Sequence, residues 1–278
     1  MPRVVLVTGK GGVGKTTTAA ATAVRAARSG LRTLVMSTDA AHSLGDALDV
    51  DLRTARTWDD SHAVEPGLHA LAVGAHTAVE ADWQVVRDYL LGVLDAMGVD
   101  PVVADELTSL PGAEEVTALA ALALQTQRGQ WDLVVVDCAP TAETLRLLAL
   151  PEVLGWHLDR LLPAQRRLLT VLRPAASAAT GVPVPGPEVL LVLRAWRDLM
   201  VEVRTLLTSP RASVRVVLTP ERVVIAESRR VLTSLSLHGY AGAAAVVNRV
   251  LPAPAPGDTD PRRAGGDPVR PERRLVAA

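Results

Sequence analysis

The segment from Arg3 to Ser37, RVVLVTGKGGVGKTTTAAATAVRAARSGLRTLVMS, constrains the fold more than any other part of the chain. Residues 3–8, RVVLVT, form a short apolar run stopped by glycines and read as a buried strand. Residues 15–29 are rich in Ala and Thr and read as a helix ended by Gly30. A second apolar run, RTLVMS at 32–37, follows at once. Strand, glycine loop, helix, strand is a right-handed βαβ unit, and it requires a parallel sheet. Further buried strands are predicted at 68–73, 132–137, 213–219 and 243–248, which makes the expected class α/β with a mostly parallel, doubly wound sheet.

The loop inside that unit carries the chemistry. Gly9, Gly14, Lys15 and Thr16 satisfy G-x-x-x-x-G-K-[ST] in the required context, with a strand before and a helix after, and identify a P-loop NTPase. Glycines let the backbone wrap closely round phosphate and turn successive N–H groups inward, while the helix N-terminus adds a favourable field for anions. Lys15 is the point charge for the β- and γ-phosphates, and the Thr16 hydroxyl is the expected Mg²⁺ ligand. Lys10, Gly11, Gly12, Val13, Gly14, Lys15, Thr16 and Thr17 are the loop residues assigned to ATP.

Of the 29 Lys and Arg residues only Lys10 and Lys15 are lysine, and both lie in this loop. One phosphate pocket explains Lys15 but not Lys10. A flexible ammonium at the second position of the loop points away from its own pocket and can reach a nucleotide held by a facing subunit. Charge supplied in trans is a known accelerator of phosphoryl transfer.

Asp137 ends a run of continuous aliphatics, the usual place for the carboxylate behind a Mg²⁺ shell. Asp39, closer to the end of the second strand, is a weaker candidate for the same shell. Asp46, expected in a polar loop after that strand, can orient the attacking water. Helical segments over roughly 77–127 and 150–208 exceed what simple crossovers need and read as a helical subdomain inserted in a 1–250 ATPase domain. The Pro/Gly-rich break TGVPVPGPE at 180–188 suggests a mobile loop within it. Residues 251–278 have no hydrophobic period and much Pro, Gly and charge, which predicts a disordered tail.

Composition narrows the partners. A formal net charge of −1 and a pI near 6.6 give no bulk attraction to nucleic acid or to an anionic membrane. No run matches the ~20 apolar residues of a membrane span, so stable insertion is not expected. The single cysteine, Cys138, excludes an intramolecular disulfide, and with a start that runs straight into the first strand it fits a cytoplasmic setting.

With these residues in hand, GKGGVGKTT at 9–17 resembles the deviant Walker loop of the family that includes ArsA, MinD, ParA and the nitrogenase iron proteins. STDAAHSLGDAL at 37–48 and VVVDCAPTAETLRLLALP at 134–151 resemble the two switch segments of the ArsA-type arsenite-pump ATPases and of the ATPases that target tail-anchored proteins. LPGAEE at 110–115 resembles a further stretch of the same group. The resemblance implies that Lys10 crosses a nucleotide-bound homodimer interface, that Asp46 is the catalytic base, and that Asn248, in VVNRV, hydrogen-bonds adenine. It implies an ATP-hydrolysing, Mg²⁺-dependent switch that couples nucleotide state to a helical subdomain binding a protein or membrane-protein client.

Two other uses of the chemistry stand beside it: a MinD- or ParA-like positioning ATPase, and a nucleotide-binding interaction module with slow turnover. The second is suggested by Ala142 and Glu143, which replace the Gly-His pair usual in the family. Arsenite is bound by clustered thiolates, which one cysteine cannot supply, and the C-x-x-C zinc pair of the targeting ATPases is absent from the sequence.

Overall fold

β1 (Arg3–Gly9) is apolar on both faces and therefore belongs in the interior of a sheet covered on both sides. The computed structural model describes residues 2–38, 43–52, 61–73, 77–107, 113–139, 185–240 and 244–250, with Thr144, Leu148, Ala149 and Pro151. After β1 come α1 (Lys15–Arg28), β2 (Thr33–Ser37), α2 (Ser43–Leu48), β3 (His62–Glu65), β4 (Leu68–Ala72), α3 (Thr77–Ala96), α4 (Pro101–Leu107) and α5 (Ala113–Gln127). Then follow β5 (Leu133–Asp137), α6 (Pro187–Leu207), β6 (Ala212–Leu218), α7 (Arg222–Leu237) and β7 (Ala244–Val247). The seven strands run in the order β3-β4-β2-β5-β1-β6-β7, and every pair is parallel except β3–β4.

Alternate residues of the inner strands feed two cores. Val4, Leu6, Leu34, Met36, Val134 and Val136 pack on one face against Leu119 and Leu122 of α5 and Met200, Val203 and Leu207 of α6. Val7, Val35 and Val135 pack on the other against Ala19, Ala20, Ala23 and Ala27 of α1. Alanines at three- and four-residue spacing let α1 lie close to the sheet, which brings its N-terminus up to the strand ends. The chain leaves β1, crosses to β2, and later places β5 between them. That reversal of strand order opens a crevice at the carboxyl ends of β1 and β5, the usual ligand position of an open α/β sheet.

Three particulars differ from the sequence reading. β3 was not anticipated: it is a four-residue strand with no apolar run, joined to β4 by the Pro66-Gly67 turn, and that dipeptide was its only signal. β7, expected as buried, is an edge strand with three of its four residues exposed. Asp46 stands in the first turn of α2, not in a loop. Gly186 and Pro187, the end of the Pro/Gly-rich break, form the N-cap and opening turn of α6. Residues 180–184 and the tail 251–278 lie outside the described residues.

α3 is docked on α6 through Trp83 and Trp196, whose rings stack with centroids 6.2 Å apart at 14°. Among the described residues no helix is long and apolar enough to cross a membrane.

At the opposite end of the sheet from the crevice, Arg32 clamps Asp132: its backbone N–H, Nε and Nη2 donate to the carboxylate at 2.9, 3.1 and 2.8 Å. The Arg32 side-chain hydrogen bonds, and then the backbone one, hold the Asp132 carboxyl down at about 2 against an ordinary 3.8. A depressed carboxyl stabilises the fold above its unfolded pKa, and that stability is lost as pH falls through the folded value. Asp132→Asn should therefore flatten the stability profile between pH ~4 and ~2 without changing it at pH 7 beyond the loss of one surface pair, as read by urea melts across that range.

Candidate functional site

Gly14 caps α1 in the left-handed conformation, φ 95° and ψ 34°, and so turns the loop into the helix. From there Lys15 is largely buried and folds back across the loop, its Nζ donating to the Lys10 carbonyl at 3.5 Å. Lys10 takes the other direction. Its Nζ lies 3.8 Å from Glu227 Oε2 on α7, with 45% of the side chain exposed. The two ammonium groups of the loop thus diverge, one tucked into the loop and one offered outward. Gly11, Gly12 and Thr17 are exposed, while Val13 sends its side chain into the core beside α1.

The Thr16 hydroxyl lies 3.1 Å from that of Ser43, the first residue of α2. Sequence reasoning missed Ser43, although it stands inside the STDAAHSLGDAL motif. Their contact ties the start of α2 to the phosphate loop, and Asp46 follows Ser43 by less than one helical turn. Asp46 is exposed in the first turn of α2, where the helix dipole favours a carboxylate. Asp39, Ala142 and Glu143 lie outside the described residues.

Asp137 ends β5, fully buried, in register with Val7 of β1 on one side and Ser37 of β2 on the other. Burial, and then the charge of Asp137, push the neighbouring Cys138 thiol up to about 12, so this cysteine is a protonated core residue and not a reactive thiolate. The oxygen donors at this end of the sheet, the hydroxyls of Thr16 and Ser43 and the carboxylate of Asp137, are of the hard type that Mg²⁺ prefers. Mg²⁺ usually takes one or two protein oxygens and completes its shell with phosphate and water, a demand this set can meet.

A relay of hydroxyls joins the strand ends. Thr8 Oγ1 donates to Thr144 Oγ1 at 3.0 Å, Thr144 Oγ1 to the Ala139 carbonyl at 2.6 Å, and the Ala139 N–H to Thr38 Oγ1 at 3.3 Å. The ends of β1, β5 and β2 are thereby linked to the segment beginning at Thr144. Tyr240, at the exit of α7, donates its hydroxyl to the Leu148 carbonyl in that same segment. Apart from Thr144 and Ala139, five residues apart, these partners are distant in sequence; Thr38, Ala139, Thr144 and Leu148 fall within the two switch-like segments, but nothing in those motifs pointed to the individual bonds.

Asn248 follows β7 directly. Its Nδ2 donates to the Val13 carbonyl at 2.9 Å, which places it against the phosphate loop.

The chain matches the family model of the anion-transporting ATPases over residues 2–261. A protein of Chlorobaculum tepidum named as an arsenical pump-driving ATPase is 36% identical over 255 residues, 90% of this chain and 62% of its own length. A similarly named protein of Aquifex aeolicus is 32% identical over 252 residues, 90% of this chain and 64% of its own length. ATPase GET3B of Arabidopsis thaliana is 32% identical over 261 residues, 88% of this chain and 63% of its own length. The chain therefore spans under two thirds of the length of these relatives. A phosphate loop at the end of a central parallel strand, two diverging lysines and a match over nearly the whole sequence lead to one conclusion: this chain belongs to the anion-transporting ATPase family.

Proposed function

We propose that the chain binds Mg-ATP at the carboxyl end of β1 and hydrolyses it as one half of a homodimer, each copy lending Lys10 to its neighbour's triphosphate. The divergence of the lysines carries this reading. Lys15, partly desolvated and folded over its own loop, serves the phosphates bound there, whereas Lys10 faces outward beside Glu227.

In this scheme the loop N–H groups and the N-terminus of α1 cradle the β-phosphate. Thr16, with Asp137 behind it, would hold Mg²⁺, whose charge offsets that of the β- and γ-phosphate oxygens. Asp46 orients the attacking water, and the Thr16–Ser43 contact keeps its helix in step with the phosphate loop. Asp39 would contribute to the water shell of the ion, and Asn248 would contact adenine. Loss of the γ-phosphate would loosen the hydroxyl relay at Thr8, Thr144 and Thr38 and pass to the segment around Leu148. The helices α3 to α6 would read that change out to a protein or membrane-protein client in the cytoplasm.

Wild-type protein should release phosphate from Mg-ATP, with Asp46→Asn about a hundredfold slower, the range typical of a lost general base. Light scattering should register a dimer with Mg-ADP and aluminium fluoride and a lighter species without nucleotide. Turnover no faster than that of Asp46→Asn would leave only the slow-turnover binding module, and a monomer under every condition would remove the exchange of lysines.

A further inference from the structure

The hydrogen bond from Asn248 to the Val13 carbonyl spans 235 residues of sequence and joins the end of the sheet to the middle of the phosphate loop. Its orientation is chemically forced. Asn248 Oδ1 accepts the Arg249 backbone N–H at 2.9 Å, so a flipped amide would set NH₂ against N–H and oxygen against carbonyl. The Asn248 backbone is itself anchored, its N–H donating to the Leu218 carbonyl of β6 at 2.8 Å. The brace is therefore mounted on the sheet, while the element it grips is the loop.

What it grips matters because of peptide geometry. In a planar trans peptide the carbonyl of one residue and the N–H of the next point in opposite directions, and the chain has no cis peptide among its described residues. Drawing the Val13 carbonyl towards Asn248 therefore turns the Gly14 N–H to the opposite side of that peptide. A carbonyl left free to swing inward would face an anion with the wrong end of the dipole. Gly14 also approaches the amide so closely that a Cβ there would lie 2.4 Å from Nδ2.

We infer that Asn248 is a positioning residue of the phosphate loop: by holding the Val13 carbonyl outward it aims the Gly14 N–H at bound phosphate, and it does so whether or not a base is present. The inference rests on the nucleotide-site reading above and adds to any contact with adenine. The two bonds described use one of two amide N–H groups and one of two acceptor lone pairs, which leaves capacity for a base.

The test is calorimetric titration with Mg-tripolyphosphate, which has neither base nor sugar, alongside Mg-ATP, for wild type, Asn248→Ala and Asn248→Leu. Leu keeps the bulk of the side chain and removes the donor, and Asn248, half-buried just after the edge strand β7, lies outside both hydrophobic cores, so both variants should fold. Both should bind tripolyphosphate about fivefold more weakly than wild type, the usual worth of one hydrogen bond. Tripolyphosphate affinities within twofold of wild type, with ATP alone weakened, would overturn the brace and leave a base contact. Failure of the wild type to bind either ligand would instead sink the nucleotide-site reading, and the brace with it.

Discussion

Lys10→Ala should bind ATP with nearly wild-type affinity and turn it over about a thousandfold more slowly, the lower end of what a charge supplied in trans contributes to phosphoryl transfer. The split between binding and turnover follows from where the two lysines sit. Lys15 stays in place to hold the phosphates of its own loop, since it contacts the Lys10 backbone carbonyl and not the Lys10 side chain. Among the described residues the side-chain interaction lost is the half-exposed pair with Glu227, worth no more than about 1 kcal/mol. Stability should hardly move. What would be lost, on the proposed scheme, is the ammonium presented to a neighbour.

Mixing experiments separate this from a local effect. Lys10→Ala retains Asp46 and Asp46→Asn retains Lys10, so a mixed dimer holds one site with both groups, and combining the two slow variants should restore turnover. Phosphate release would be followed at saturating ATP. If mixing restores nothing, or if Lys10→Ala raises KM and spares kcat, Lys10 acts inside its own pocket and the exchange across subunits is wrong.

The parts of this site that were legible in the sequence are those built from neighbours along the chain. The motif from Gly9 to Thr17 is contiguous, running from the last residue of β1 through the loop at 10–14 into the first turn of α1, so its pattern and its structure coincide. Asp137 was legible because a buried parallel strand announces its end by the first polar residue after a run of aliphatics. Asp46 follows β2 as expected, but it stands in a short helix and not in a loop. The six residues of α2 are too few for hydrophobic periodicity to distinguish a helix from a polar loop.

β3 escaped for the same reason, four residues on an edge giving no buried alternation. β7 was read as buried because Ala and Val suit an inner strand, yet sheet order put it at the rim. Ser43, Thr144, Glu227, Tyr240 and the grip of Asn248 on Val13 all depend on which segments the assembled sheet brings together. Propensity and spacing carry no information on that. The pairings follow only from the strand order with β1 between β5 and β6, which composition alone could not choose.

Gly9→Ala should be the most destabilising single substitution in the phosphate loop, lowering the unliganded melting temperature by roughly 10 °C in a chain of this size. Gly9 is the last residue of β1 and has φ +153°, a conformation that side chains rarely adopt. A Cβ there would lie 2.2 Å from the Val217 carbonyl oxygen of β6 and 3.2 Å from Val13 Cγ2. No rotamer change relieves the first contact, because it is with backbone. β1 cannot retreat from β6, since β5 pairs with its other edge, and β6 cannot retreat from β1, since β7 pairs with its own. Strain at the dihedral and overpacking each cost about 1–3 kcal/mol, and the two add here because they act on different coordinates.

Gly11→Ala is the control: a Cβ at Gly11 meets nothing within 4 Å, and its melting temperature should match wild type. Equal melting temperatures for the two variants would show that β1 and β6 can part without cost. If instead Gly9→Ala melts early, its ATP affinity should also be lower well below the transition. The close approach that excludes a side chain at Gly9 is what fixes the point from which the phosphate loop departs, and a loop that starts from a displaced strand end cannot aim its N–H groups as before.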